Sequence, residues 1–429
     1  MFPRREPTAN SSRRAALSAS PHLERRLGVS DAVVLGMGSM IGAGVFAAIG
    51  PAASAAGSGL LIGLVIAALV AYANATSSAQ LAAVYPEAGG TYVYGRERLG
   101  RFWGFLAGWG FVVGKTASLA AMALTVGAYA FPGRERLIGV GAVLLMTAVN
   151  YAGVRKTANL TRVIVAFVLV ALAVVVVASF ATPTGAAANL ADFTSGGASG
   201  ILEAAGLLFF AFAGYARIAT MGEEVIDPAR TIPKAIPLAL GVTLLVYSAI
   251  AVSALYAVGP EVLGATSAPL VVAAEGGISW ASPLVRVGGA VAALGVLLSL
   301  LAGVSRTSFA MARNGELPSW LAAVHKDNKT PYRAELAVGF AVASITAFAD
   351  LRGAIGFSSF AVLAYYAIAN ASAFTQTGKE RRWPRWLQVL GMAGCAVLAL
   401  SLPIASVVAG ASVLAIGAVV WAIRQRIEA

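Results

Sequence analysis

The chain is short of almost everything that soluble chemistry uses. Its 429 residues contain one cysteine and two histidines. Charged residues make up 12%, about half the share usual in a soluble globular protein. One cysteine excludes an intrachain disulfide, and Cys395 sits inside an apolar run, so a cysteine-based metal cluster is also excluded. His22 and His325 fall in polar segments, and no cluster of His, Asp or Glu has the spacing of a hydrolytic or metal centre at membrane depth. These absences argue against an enzyme. What remains is apolar: 59% of the residues are hydrophobic and the mean hydropathy is +0.80. A chain of this size cannot bury that much apolar surface in a soluble core, so the expected solvent is lipid.

A helix crosses the hydrocarbon core with about 20 apolar residues. Asp31 to Glu87 holds no charge between its ends, enough for two spans with a turn near Pro51 to Gly59. Phe102 to Pro132 is interrupted only by Lys115; Leu137 to Val154 and Val163 to Phe180 follow. Span six, about Ser199 to Met221, is unusual because Glu203 and Arg217 lie within it. Span seven covers Ile236 to Val258, a re-entrant or external segment follows over Pro260 to Ser282, and span eight covers Val287 to Ser305. Spans nine and ten flank Asp350 and Arg352, and the run from Trp386 to Ile423 divides at Pro403. The expected fold is an all-α polytopic membrane protein with about 12 transmembrane helices.

Lys and Arg are retained on the cytoplasmic side of short loops. With both termini inside, 25 of the 31 basic residues fall on that side, only Arg134, Arg136, Arg286 and Arg352 fall outside, and Lys115 and Arg217 lie within spans. The net charge of +12 is then topogenic and requires no nucleic acid partner. The expected location is the cytoplasmic membrane. Residues 1–26 read as a basic cytoplasmic tail, 27–182 and 183–376 as two five-helix units, and 377–429 as two additional helices with a short tail.

Span one carries Gly36, Gly38, Gly42 and Gly44 within nine positions at mid-membrane depth. Glycine permits unwinding and close approach of a ligand, and equally permits tight helix packing. Span six has a matching weak point at Phe209 to Tyr215, five spans later. Interrupted helices at corresponding positions of two halves point to an inverted-repeat transporter with its site at the midplane.

The run Gly38 to Phe46 resembles the span-one signature of the amino acid, polyamine and organocation (APC) transporters. Phe209 to Pro233, with Glu223, Glu224, Asp227, Pro228, Arg230 and Ile232, resembles their span-six exit. Ser305, Arg306, Met311 to Gly315, Leu317 and Pro318, then Thr330 and Pro331, resemble their span-eight exit. The resemblance implies a five-plus-five inverted repeat of the leucine-transporter type plus two helices. It also implies a substrate-binding set of Met40, Ile41, Gly42, Ala43, Gly44, Phe210, Ala213, Gly214 and Tyr215. The substrate carboxylate would meet the amides of Gly42, Ala43 and Gly44 at a positive helix end. Its ammonium would meet the carbonyls of Met40, Phe210 and Ala213. Relatives often carry Ser at Ala43, and the family's span-five lysine corresponds to Val168 here.

Lys115 stands out from physics alone, because a charge at mid-bilayer costs about 2.5–3.5 kcal/mol or more and is a functional candidate by default. Glu203, Glu223, Glu224, Glu335 and Asp350 all map to span ends, which leaves the substrate, water or backbone as its partner. Arg217 is the second unusual cation, either a substrate contact or a gate with Asp31 or Glu224. Trp103, Trp280, Trp320 and Trp421 read as interface anchors, and Tyr365 and Tyr366 as helix packing.

The expected function is alternating-access transport of an α-amino acid, neutral or acidic, coupled to protons, with Lys115 and Arg217 the candidates for coupling or gating. Sodium coupling through span-one and span-eight oxygens such as Ser299, and obligate exchange, are the alternatives; a polyamine carrier and a channel rank below them. No cofactor beyond the coupling ion is expected, and no disulfide-linked subunit.

Overall fold

The computed structural model describes residues 27–42, 44–85, 89–153, 158–219, 224–328 and 330–428. Among the described residues, regular structure is helical apart from one bridge between Leu27 and Val225. Within lipid a backbone must satisfy its own polar groups, and the helix does so inside a single segment. The first half contains α1 (Val29–Met40), α2 (Gly44–Ala56), α3 (Leu60–Val84), α4 (Thr91–Leu99), α5 (Arg101–Ala130), α6 (Glu135–Tyr151) and α7 (Ala158–Phe180). The second contains α8 (Gly197–Phe212), α9 (Ala216–Ala219), α10 (Pro228–Ala265), α11 (Pro269–Glu275), α12 (Ala281–Arg313), α13 (Tyr332–Phe348) and α14 (Leu351–Phe374). α15 (Arg385–Leu400) and α16 (Ile404–Glu428) complete the chain.

Among the described residues, eight segments are long and apolar enough to cross a membrane. Their outer surfaces carry large apolar side chains such as Leu245, Phe340, Phe348 and Leu400, each more than 70% exposed. So much exposed apolar surface suits lipid rather than water. The chain is an all-α polytopic membrane protein.

The first turn falls at the end of the expected Pro51 to Gly59 stretch, at a 3₁₀ segment, Gly57–Gly59, with Pro51 inside α2. Proline removes one helical hydrogen bond, whereas Gly57 at φ +59° supplies the reversal. α10 kinks at Gly259, φ +75°, beside the expected end of span seven at Val258, and a helical stretch to Ala265 and the short α11 follow.

α3 is joined to α14 and to the segment between α14 and α15 by side-chain amides that the hydropathy pattern conceals. Asn370 Nδ2 donates to Asn74 Oδ1 at 2.6 Å and Ser77 Oγ to Asn370 Oδ1 at 2.7 Å. Gln80 Nε2 donates to Gln376 Oε1 at 2.7 Å, and Gln80 Oε1 accepts from the amides of Arg382 and Trp383. Asn74, Gln80, Asn370 and Gln376 are fully buried. Such hydrogen bonds contribute about 0.6 kcal/mol each in membrane proteins, so their main effect is to fix register.

At the face where α1 begins, Leu27 N donates to Glu224 O and accepts from Ile226 N through its own carbonyl. Asp31 pairs with Arg162, Arg96 with Glu316 at 3.2 Å, and Arg98 with Glu380 at 3.2 Å. At the opposite face Arg352 pairs with Glu203, joining α14 to α8. Burial pushes the Glu316 carboxyl above the usual carboxylate range, outweighing its attraction to Arg96. The fold therefore favours the protonated acid, and ionisation costs stability as pH rises through the folded value. Glu316→Gln is expected to hold or raise the melting temperature at pH 7 and to flatten its dependence on pH above the unfolded carboxyl's value of about 4.3. A fall in melting temperature would show that the pair with Arg96 dominates.

Candidate functional site

Both expected helix interruptions are present. α1 ends at Met40 and α2 begins at Gly44; Ala43 lies outside the described residues. In span six a 3₁₀ turn, Ala213–Tyr215, separates α8 from α9. Each break leaves helix-end carbonyls and amides without intrahelical partners.

The two breaks lie directly against each other. A Cβ on Gly214 would stand 2.3 Å from Ser39 O and 2.7 Å from Met40 N, and one on Gly44 would stand 2.5 Å from Ala211 Cα. These contacts are backbone to backbone and cannot be relieved by a rotamer change. Gly38 and Gly42 instead face side chains, Val165 on α7 and Val296 on α12. The glycines of span one thus all serve close packing, whatever else they do. Gly44→Leu would part α2 from α8 before it filled any ligand site, so that variant reports packing.

Tyrosine hydroxyls cap the carbonyls freed at the breaks. Tyr247 on α10 places its single hydroxyl 2.6 Å from Met40 O and 3.0 Å from Ala211 O, bridging both broken spans. Tyr366 on α14 donates to Ala213 O at 3.2 Å, and its ring stacks on Tyr215 with centroids 5.1 Å apart. Tyr129 on α5 donates to Phe46 O at 3.0 Å, one turn beyond the first break. Phe210 O accepts from the amide of Ala213. The carbonyls of Met40 and Ala213 therefore already receive one donor each, and each retains a second lone pair. Sequence reasoning passed over Tyr247 and Tyr129 and assigned Tyr366 to packing. The available signal was a phenol in mid-span, since a buried tyrosine hydroxyl seeks a partner.

Met40, Ile41, Phe210, Ala213 and Tyr215 are all buried, with Gly42, Gly44 and Gly214 beside them. A small cavity adjoins the first break, lined by Gly38, Ile41 and Gly42, by Ile164, Val165 and Val168 of α7, and by Ala292, Gly295 and Val296 of α12. No side-chain oxygen or charge belongs to this lining. Ser299 is exposed, and its hydroxyl donates to Gly295 O and Val296 O of its own helix, so it does not serve the cavity.

Lys115 is buried, 8% exposed, at the middle of α5. Among the described residues it makes no hydrogen bond or ion pair. Arg217 lies on α9 with its side chain at the surface and Glu224 within electrostatic range. Asp31 pairs with Arg162 of α7, which leaves Glu224 as the acid beside Arg217 among the two named for a gate. The reason is positional: Arg162 begins α7 beside the first turn of α1, where Asp31 also bonds the amide of Gly28.

The family model described as amino acid permease matches residues 27–425. The chain belongs to the amino acid permease family. This permease is 61% identical over 404 residues to an uncharacterized transporter of Mycobacterium tuberculosis, covering 94% of this chain and 92% of that one. It is 29% identical to the branched-chain amino acid permease of Bacillus subtilis, covering 88% and 86%. It is 28% identical to the chloroplastic cationic amino acid transporter 6 of Arabidopsis thaliana, covering 84% and 68%. The family and these relatives are transporters, and this permease is a transporter rather than an enzyme.

Proposed function

We propose that this permease carries an α-amino acid across the cytoplasmic membrane by alternating access, with both termini inside. The observation that carries the reading is the docking of two helix breaks, joined through the Tyr247 hydroxyl. Free amides at the start of α2 attract a carboxylate, and freed carbonyls at Met40, Phe210 and Ala213 attract an ammonium. A zwitterion matches that polarity, with Ile41, Gly42, Ala43, Gly44, Gly214 and Tyr215 around it. Counting α1 with α2, and α8 with α9, as single broken spans gives twelve crossings when α6, α13 and α15 are included. Those three, 16 or 17 residues each, reach about 24–26 Å. The breaks then fall in the first span of each five-helix unit, as in an inverted repeat.

The lining of the cavity beside the break bears on the coupling ion. A sodium ion needs oxygen ligands, and the α7 and α12 walls offer only Val, Ile, Ala and Gly side chains. Val168, at the place of the family's lysine, is one of those walls. Proton coupling is the reading that these walls favour. Purified protein in liposomes is expected to accumulate a labelled amino acid under an inward proton gradient, and to show uptake unchanged when a sodium gradient replaces potassium. Sodium-driven accumulation would overturn this coupling; uptake seen only with amino acid preloaded inside would make the permease an exchanger.

A further inference from the structure

We propose that Lys115 is a specificity-determining residue that receives the anionic side-chain group of an acidic amino acid. The inference rests on the carrier reading above and names its substrate class. On α5, Phe111, Lys115, Ser118, Met122 and Tyr129 fall within about 40° of one line along the helix. That stripe touches the surroundings of both breaks. The Phe111 ring meets Tyr365 at 5.5 Å; Tyr365 meets Tyr366 at 5.2 Å; and Tyr366 bonds the carbonyl of Ala213. Ser118 shares a hydrogen bond with Ser358 of α14, and Tyr129 bonds the carbonyl of Phe46 on α2. Lys115 therefore projects from the core-facing side of α5, one turn from the aromatic contacts that lead to the span-six break.

A buried ammonium is costly unless it meets a counter-charge. The helices packed against α5 carry the phenols of Tyr94, Tyr365 and Tyr366, the exposed Arg306 of α12, and on α13 the buried carboxyl of Glu335, which lies within electrostatic range of Arg306. Among the described residues none of these forms an ion pair with Lys115. The helix breaks already match the α-carboxylate and α-ammonium of a zwitterion, so the amine is left for a second carboxylate. A cationic side chain would meet repulsion there, and a neutral amide would leave the ammonium unpaired.

The test is calorimetric binding to the purified full-length chain with four probes: L-glutamate, L-glutamine, L-aspartate and L-asparagine. Each acid and its amide differ by one charge at nearly constant shape. The wild type is expected to prefer one acid over its amide by about tenfold or more. Lys115→Met should remove that preference while holding amide affinity within about threefold; Lys115→Gln, with a monodispersity check, repeats the result should the methionine variant misfold. An unchanged acid-to-amide ratio in both variants would overturn the proposal, as would a wild type that binds amides but not acids. If no probe and no other amino acid binds the wild type, the carrier reading fails and this inference with it.

Discussion

Gly214→Ala is expected to reduce transport by at least about a hundredfold and to lower the melting temperature. The added methyl would stand 2.3 Å from the carbonyl oxygen of Ser39 and 2.5 Å from its carbon, distances that side-chain rotation cannot relieve. The span-six turn must then move off the end of α1. Overpacking of this kind costs about 1–3 kcal/mol, and under the proposed function the loss of transport is larger because the displaced atoms include carbonyls of the proposed substrate site. Radiolabelled uptake and a thermal melt on the same preparation check both parts. Wild-type uptake by Gly214→Ala would mean that the breaks are not in contact in the transporting protein.

Tyr247→Phe is the companion experiment. It keeps the ring that packs against Phe212, at 5.1 Å between centroids, and removes only the oxygen shared by Met40 O and Ala211 O. Two buried carbonyls lose their donor, at about 1–3 kcal/mol for each left unsatisfied. The expected outcome is a lowered melting temperature and a KM raised about tenfold, with kcat less affected. Tyr366→Phe frees one carbonyl rather than two and should cost less in both measurements. Equal effects of the two substitutions would argue that Tyr247 holds no special bridge between the broken spans.

Much of the architecture was legible in the sequence because lipid imposes a simple rule on length and charge. The divide at Pro403 and the junction of spans nine and ten at Asp350 are where the sequence reading placed them; the structure adds that Asp350 caps α14 by accepting the amide of Gly353. Both helix breaks follow from glycine and small-residue content. The turn between the first two spans lies within the Pro51 to Gly59 stretch that the sequence marks, at Gly57 rather than at the proline, because in a membrane neighbours restore the bond that proline removes. The amide ladder of Asn74, Gln80, Asn370 and Gln376 could not be seen, because an uncharged side chain barely alters hydropathy and its partners lie about 300 positions away in sequence. At the candidate site, the glycines announced close approach but not its object. Only coordinates show that Gly44 and Gly214 meet backbone whereas Gly38 and Gly42 meet valines.

Cys395 lies buried on α15, its thiol turned to Asn74 Oδ1 at 3.4 Å. The natural chain is thus nearly blank to maleimide chemistry in its folded state, and no residue need be replaced before reporters are attached. Spin or fluorescent labels introduced as paired cysteines across α1 and α7, near the Asp31–Arg162 contact, would report separation at one face. A second pair across α8 and α14, near Glu203–Arg352, would report the other. Because each pair can be read without the other, the order in which the two faces part under the proposed alternating access becomes a directly timed quantity.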